Sequence, residues 1–303
     1  MKMFMNGKII KGVGGFYYIH LHDNRVFECK AKGAFRNQGI KPAVGDDVEI
    51  DIIDEEMQKG NIVNILPRKN KLIRPAVSNV DQAVIIFALS SPEPNYNLLD
   101  RFLIMMDQQE VDTVICLNKS DLAESDEATR IKEIYASCGY EVFITSTHLW
   151  QNGSDDKSGI LPLIEMIKGK TTVFAGPSGV GKSSLLNVLQ PDAQAKTGAV
   201  SDKIKRGKHT TRHSELMYIC EDTFIMDTPG FSSLYVENIE PEELKTFYNE
   251  FSEYSEQCRF KGCLHINEPD CGVKQAIESK MVSTLRYDNY RQIYEELKSK
   301  RRW

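Results

Sequence analysis

Long apolar runs are missing from this chain of 303 residues. No window approaches the roughly 18 consecutive apolar residues that a membrane-spanning helix needs, so no transmembrane segment and no membrane partner are expected. Residues 1–8 lack the apolar core of a signal peptide, which points to a cytoplasmic chain. Internal repeats and long low-complexity segments are also absent, which sets repeat architectures aside. No charge of one sign dominates: the net charge is −5 and the charged fraction an ordinary 27%. A hydrophobic fraction of 41% fits a soluble folded protein. The length is too great for one compact core, so two or three domains are expected.

The seven cysteines are few and odd in number. Cys29, Cys116, Cys138 and Cys220 are scattered through strand-like or helix-like stretches and read as buried reduced thiols. Cys258, Cys263 and Cys271 crowd together with His265 among them, which in a reducing compartment points to metal rather than disulfide. The charge is unevenly spread. Residues 1–41 hold eight Lys/Arg against two acids, residues 196–213 hold six against one, and the end carries Lys298, Lys300, Arg301 and Arg302. Such patches suit a phosphate backbone, although any one of them alone reads equally well as a solvated face.

Residues 1–67 read as short strands at 7–11, 16–22, 26–31, 48–53 and 61–66, separated by Gly-Gly, Asp-Asn and Gly-Asp turns. Five strands in so short a stretch predict an all-β barrel, of which the OB-fold is the commonest; OB-folds often bind single-stranded nucleic acid. A purely structural barrel is the competing reading. From about residue 80 apolar strands (82–89, 111–117, 141–145, 171–175) alternate with helical spacing (98–109, 124–138, 160–167), which implies a mostly parallel sheet covered on both faces. Residues 217–227 read as two further strands joined by a tight turn, and 152–158 as a polar surface loop. After Glu240 the chain is polar and helical; Pro241 suits a helix start, and 282–298 is an amphipathic helix.

The strand at 171–175 runs into Gly176-Pro177-Ser178-Gly179-Val180-Gly181-Lys182-Ser183, then a helix from Ser184. This is a G-x-x-x-x-G-K-S phosphate loop in its required context. Its glycines let backbone N–H groups turn toward phosphate oxygens, Lys182 reaches the β and γ phosphates, and the Ser183 hydroxyl ligates Mg²⁺. A chance glycine-rich turn would lack the strand before and the helix after. Asp227-Thr-Pro-Gly230 ends an apolar strand downstream; its carboxylate can hold Mg²⁺ through water and the Gly230 N–H can meet the γ-phosphate. Asn118-Lys119-Ser120-Asp121 follows the strand 111–117. The Asp121 carboxylate, acceptor-only, matches the two donors on the guanine edge, which adenine does not offer. Lys119 can lie over the base, Asn118 can brace the loop, and Ser146 is placed to offer its backbone N–H to the guanine oxygen. In Gly207-Lys-His209-Thr210-Thr211 a threonine, with Thr211 favoured over Thr210, can close on Mg²⁺ and the γ-phosphate, against the competing reading of an ordinary basic loop. Phe231 follows Gly230, where a glutamine often orients the attacking water, so His209 is the candidate for that task.

The base-reading motif precedes the phosphate loop, the reverse of the usual GTPase order, as a circular permutation would give. Downstream, Cys258-x4-Cys263-x-His265-x5-Cys271 suits a closed tetrahedral structural zinc site. The barrel, the permuted order and the stretches GPSGVGKSS, GKHTT, DTPGF and CRFKGCLHINEPDC together resemble the ribosome small-subunit-dependent GTPases, the RsgA family. The resemblance implies an OB-fold at 1–67, a circularly permuted α/β P-loop GTPase at 68–235, and a mainly helical zinc-binding domain at 236–303. It further implies GTP/GDP, Mg²⁺ and one Zn²⁺ per chain, and action in late maturation of the small ribosomal subunit, which stimulates turnover. Basic faces would meet rRNA, and the chain is expected to be a monomer. Two rivals remain at the level of sequence: a P-loop ATPase or kinase, against which Asp121 argues, and a nucleotide-gated RNA-binding module with negligible turnover.

Overall fold

The computed structural model describes residues 4–32, 35, 41–154, 158–190, 215–228 and 234–300. Contacts gather the chain into two compact units. The first holds Met1–Val84, Leu161–Ala175 and Lys182–Pro229; the second holds Ile85–Ile160, Gly176–Gly181 and Gly230–Trp303.

The first unit begins with the barrel. Strands β1 (Phe4–Val13), β2 (Phe16–Leu21), β3 (Val26–Ala31), β4 (Asp47–Asp54) and β5 (Lys59–Ile65) close in the order β1-β2-β3-β5-β4. All pairs are antiparallel except β3 with β5. Alternate residues point inward, so Ile9, Ile19, Leu21, Phe27, Cys29, Val48, Ile50 and Ile62 form one core. The five-stranded barrel expected at this end is present. Two short strands, β6 (Lys71–Leu72) and β7 (Val77–Ser78), follow. The barrel rests on the antiparallel edge strand of the next sheet. Lys11 bridges to Glu215 and pairs with it at 2.8 Å. The buried His20 ring stacks on Tyr218 at 4.1 Å and meets Phe224 edge-on.

A second, six-stranded sheet runs in the order β10-β9-β8-β11-β13-β12, from β8 (Gln82–Ala88), β9 (Asp112–Asn118), β10 (Glu141–Ile144), β11 (Thr171–Ala175), β12 (Leu216–Tyr218) and β13 (Phe224–Asp227). The pairs β10·β9 and β11·β13 are parallel, and β12 turns back antiparallel to β13. Every residue of β8 and of β11 is buried, as a strand covered on both faces requires. Helices α1 (Tyr96–Asp107), α2 (Ser125–Ser137) and α4 (Ile160–Ile167) fall where the apolar spacing placed them; α3 (Thr147–Gln151) was not expected, and α5 (Lys182–Leu189) opens two residues before the Ser184 start read from the phosphate loop. The Asn95 side chain caps α1 by accepting from the Leu98 amide.

The C-terminal segment differs in part from expectation. No long helix starts at Pro241; short 3₁₀ turns at Leu244–Phe247 and Asn249–Phe251 lead into a single helical turn, α6 (Ser252–Ser255). Leu244, Tyr248 and Phe251 of these turns are buried in the C-terminal core. Helices α7 (Gly272–Glu278) and α8 (Thr284–Lys300) follow. Cys220 departs too: it is exposed in the β12–β13 turn, whereas Cys29, Cys116 and Cys138 are buried as expected. Ser158, read as part of a surface loop, is buried.

Within the second unit, α8 is held to α1 by buried charge. The Asp100 carboxylate, fully buried on α1, accepts from Arg286 and from Asn289 (2.8 Å) of α8 and from the Tyr135 hydroxyl of α2 (2.9 Å). Arg286 also binds Glu250 at 2.8 Å, and its guanidinium lies over the Tyr248 ring. Burial opposes the charge on Arg286, but Asp100 and Glu250 hold it firmly protonated. Removing one partner of such a group strands the others without a counter-charge. Arg286→Met should therefore cost about 3–5 kcal/mol of stability, seen as a lowered thermal midpoint, and the triple variant Arg286→Met with Asp100→Leu and Glu250→Gln, which removes both stranded carboxylates, should recover most of it. A single variant that melts like the parent would show that the cluster is not what fastens α8.

Candidate functional site

The base motif and residues 176–181 of the phosphate loop lie in the second unit. The phosphate loop leaves β11 at Gly176, whose φ is +148° and whose missing side chain would stand 2.1 Å from the Ile86 carbonyl oxygen; only glycine fits there. Pro177 follows, which can shape the loop but has no N–H to give a ligand. Ser178 and Gly179 are exposed, and Val180 is buried. At Gly181, with φ +100°, a Cβ would come 2.3 Å from Asn118 Nδ2. That contact is the central one. Asn118 ends β9, is fully buried, and its Nδ2 donates to the Val180 carbonyl at 2.9 Å. Its Oδ1 accepts from the Thr145 hydroxyl at 3.1 Å, and its own carbonyl accepts from the Leu89 amide. One side-chain amide thus ties residue 118 of the Asn-Lys-Ser-Asp motif to the phosphate loop.

Lys119 turns into the left-handed region, φ +62°, and its Nζ donates to the Ser91 carbonyl at 2.6 Å. One oxygen of Asp121 accepts from the Ser146 hydroxyl, and the other lies 3.6 Å from His148 Nδ1. Ser146 is near the motif as expected, but in another role. Its amide is spent on the Ser158 carbonyl at 2.8 Å, so it cannot serve a guanine oxygen; its hydroxyl instead orients Asp121 and accepts from the Leu149 amide to cap α3. Neither Ser158 nor Thr145 was legible as a site residue, because each acts through a single hydrogen bond set by the tertiary fold.

In the first unit Lys182 opens α5 and is buried at 8% exposure. Burial lowers its pKa while Asp227 opposes the shift; burial likewise raises Asp227 while Lys182 opposes it. Asp227 Oδ1 is buried with no hydrogen-bond partner among the described residues, whereas Thr228 beside it is tied to the Phe174 carbonyl. A carboxylate oxygen left in this condition fits a site for a hard cation and its waters. Ser183 is exposed and Ser184 half-buried in the first turn of α5. His209, Thr210, Thr211, Gly230 and Phe231 lie outside the described residues.

The four expected metal ligands do meet. One donor atom from each of Cys258, Cys263, His265 and Cys271 lies within 4.8 Å of the others. Cys258 Sγ is 3.8 Å from Cys271 Sγ and 3.6 Å from His265 Nδ1, and the latter is 3.3 Å from Cys271 Sγ. A tetrahedron with metal–sulfur bonds of about 2.3 Å has sulfurs about 3.8 Å apart, so the cluster is compatible with zinc. The other ring nitrogen of His265 faces the Ser255 hydroxyl at 3.2 Å, which fixes the ring. Tyr287 and Tyr290 donate to the carbonyls of His265 and Leu264, both at 2.6 Å, and so seat the cluster on α8. Burial pushes the Cys263 thiol up to about 12 and the His265 imidazole down to about 4. A cation entering the site must therefore displace thiol protons.

Comparison with known proteins agrees over the whole length. A family described as RsgA GTPase matches residues 65–237, and one described as RsgA N-terminal domain matches residues 6–62. A protein of Agathobacter rectalis named small ribosomal subunit biogenesis GTPase RsgA is 53% identical, covering 99% of this chain and 100% of that protein. A like-named protein of Alkaliphilus metalliredigens is 46% identical, covering 98% and 99%. Among solved structures, YjeQ from Thermotoga maritima superposes with a TM-score of 0.78 at 35% identity, covering 97% of this chain and 99% of that one. YloQ, described as a circularly permuted GTPase, gives 0.76 at 38%, covering 98% and 96%.

Two glycines with positive φ separate the backbone cost of a side chain from the local clash. Gly139 (φ +93°) faces open space, while Gly181 faces Asn118. Gly139→Ala should cost about 1–2 kcal/mol from the left-handed backbone alone. Gly181→Ala should cost clearly more in thermal or urea unfolding, because Asn118 must also leave Val180. Equal losses would mean that the Asn118 bond contributes nothing.

Proposed function

The chain belongs to the RsgA family of GTPases and hydrolyses GTP, and we propose that it does so on the small ribosomal subunit, during late maturation of that particle. The observation that carries the nucleotide reading is the bond from Asn118 to Val180, which fixes the base-reading motif against the phosphate loop. In this reading the Asp121 carboxylate accepts from the ring N–H and 2-amino group of guanine. Lys119 lies over the base. The guanine oxygen, which the Ser146 amide cannot serve, is met by the next amide, that of Thr147. The N–H groups of Gly176, Ser178, Gly179, Val180, Gly181, Ser183 and Ser184 wrap the phosphates. Pro177 keeps the turn, and Lys182 neutralises the β and γ oxygens.

Ser183, Thr211 and, through water, Asp227 would hold Mg²⁺, which when bound neutralises charge developing on the phosphates. The Gly230 amide meets the γ-phosphate. Phe231 cannot orient water by hydrogen bonding, so His209 takes the water-positioning role once its loop is ordered. Zinc in the Cys258, Cys263, His265 and Cys271 cluster serves the fold alone, because four protein ligands leave no open position. The domain division 1–67, 68–235 and 236–303 belongs to the same proposal. So do rRNA contact through the basic faces, a monomeric chain and a cytoplasmic setting.

Phosphate release with and without purified small subunits tests the proposal. The expected result is slow turnover alone, strong stimulation by the subunit, and loss of most of that stimulation in His209→Ala with GTP binding intact. An unstimulated rate with the subunit bound would overturn the ribosomal part. Asp121→Asn should weaken GTP binding by about 1.5–3 kcal/mol and favour xanthosine triphosphate, whose 2-carbonyl accepts from the amide. Unchanged GTP affinity would remove Asp121 from the site.

For the cysteine cluster, metal analysis of the purified chain should find about one zinc equivalent. Cys263→Ser should lose it and unfold the C-terminal segment while nucleotide binding persists. A metal-free chain of normal stability would refute the zinc assignment.

A further inference from the structure

The connection between β8 and α1, residues 89–95, belongs to none of the recognised motifs, yet it touches both halves of the nucleotide constellation. Its strand lies between β9, which ends in Asn118, and β11, which ends at the phosphate loop. In an open α/β sheet, ligands bind beyond the carboxyl ends of such strands. At the strand's end the Ile86 carbonyl closes against Gly176, and the Leu89 amide donates to the Asn118 carbonyl at 3.0 Å. Beyond it the Ser91 carbonyl accepts from Lys119 Nζ at 2.6 Å. The Pro92 ring stands 3.7 Å from where a side chain on Gly179 would begin, so it lies one methyl group from the phosphate loop. Ser91 and Pro92 are themselves exposed, while Asn95 pins the far end of the connection as the cap of α1.

The Lys119 contact has a further peculiarity. Lysine in the left-handed region carries a backbone cost that glycine would not. A charge-assisted bond to Ser91 offsets that cost and directs the side chain toward residues 90–92 rather than leaving a long flexible stem in water. Side-chain entropy would otherwise have to be lost when the nucleotide arrives.

We propose that Ser91 and Pro92 are positioning residues of the nucleotide site: they pre-set Lys119 over the base and hold its place relative to Gly179 of the phosphate loop. This rests on the reading of the site given above. It adds a third bracket to that site, one that acts on nucleotide retention and not on the γ-phosphate chemistry. Because Lys119 is the residue being placed, the effect of Pro92 on base binding must pass through it.

A double-mutant cycle on the full chain tests this, read as the Kd and dissociation rate of a fluorescent GDP. Pro92→Ala and Lys119→Met should each weaken binding about threefold to tenfold through faster dissociation. The double variant should bind within about twofold of Lys119→Met alone, since contacts that share one route are not additive. Lys119→Arg, which can still donate to the Ser91 carbonyl, should retain most of the affinity. Thermal midpoints check folding, and Pro92→Val, which keeps bulk beside Gly179, serves if the alanine variant is unstable. Parental affinity in both Pro92 variants, or fully additive losses in the cycle, would overturn the proposal. Failure of the wild-type chain to bind GDP would instead overturn the nucleotide site itself.

Discussion

Everything about the nucleotide end of this protein depends on one buried side-chain amide. Asn118 has two hydrogen-bonding ends, and the fold uses both: Nδ2 on the phosphate loop, Oδ1 on Thr145. A buried amide is tolerable only when so satisfied, and leaving either end unpaired would cost more than the bond itself contributes. The loop therefore cannot drift without stranding the amide. The absence of a Cβ at Gly181 is the steric counterpart of the same requirement. Permutation of the chain changes where the ends fall but not this contact, since the motif and the loop meet in space whichever comes first in sequence.

The structure also explains how the cysteine-bearing segment belongs to the whole. Asp100 on α1 gathers Arg286 and Asn289 from α8 and Tyr135 from α2, while the tyrosines of α8 hold the carbonyls of His265 and Leu264 within the cysteine–histidine cluster. One helix thus carries the ion cluster and the support of the cysteine–histidine cluster on adjoining faces. Such ion clusters gain little net energy over apolar packing, but a displaced α8 would strand charge, so they exclude misplacement.

Much of the architecture was legible because it follows from period and punctuation. Strand and helix boundaries in the sheet fell within a residue or two of the apolar pattern, and the helix at Ile160–Ile167 matched it. Cys258, Cys263, His265 and Cys271 could be grouped from spacing because short loops alone bring them together. What escaped was long-range. Asp100 sits on the apolar stripe of α1, the one signal that it is not a solvated charge, and its partner Arg286 is 186 residues away. Its position after a strand puts Ser146 near the base motif, but the bond of its amide to the Ser158 carbonyl depends on how the loop returns. Pro241 suits a helix start, but short 3₁₀ turns that bury Leu244, Tyr248 and Phe251 follow it instead.

The seating of the barrel on β12 has a consequence for solubility. An open sheet ends in strands whose unused N–H and C=O groups invite pairing with another chain. β12 is such an edge, three residues long, and the bridge from Lys11 to Glu215 with the stack of His20 on Tyr218 lays the barrel across it. A closed barrel has no edge of its own to offer, so the open side of the GTPase sheet is shielded by an element that cannot pass the liability on. Chains shortened at the barrel would leave β12 uncovered, and their expected fate is self-association rather than simple loss of one function.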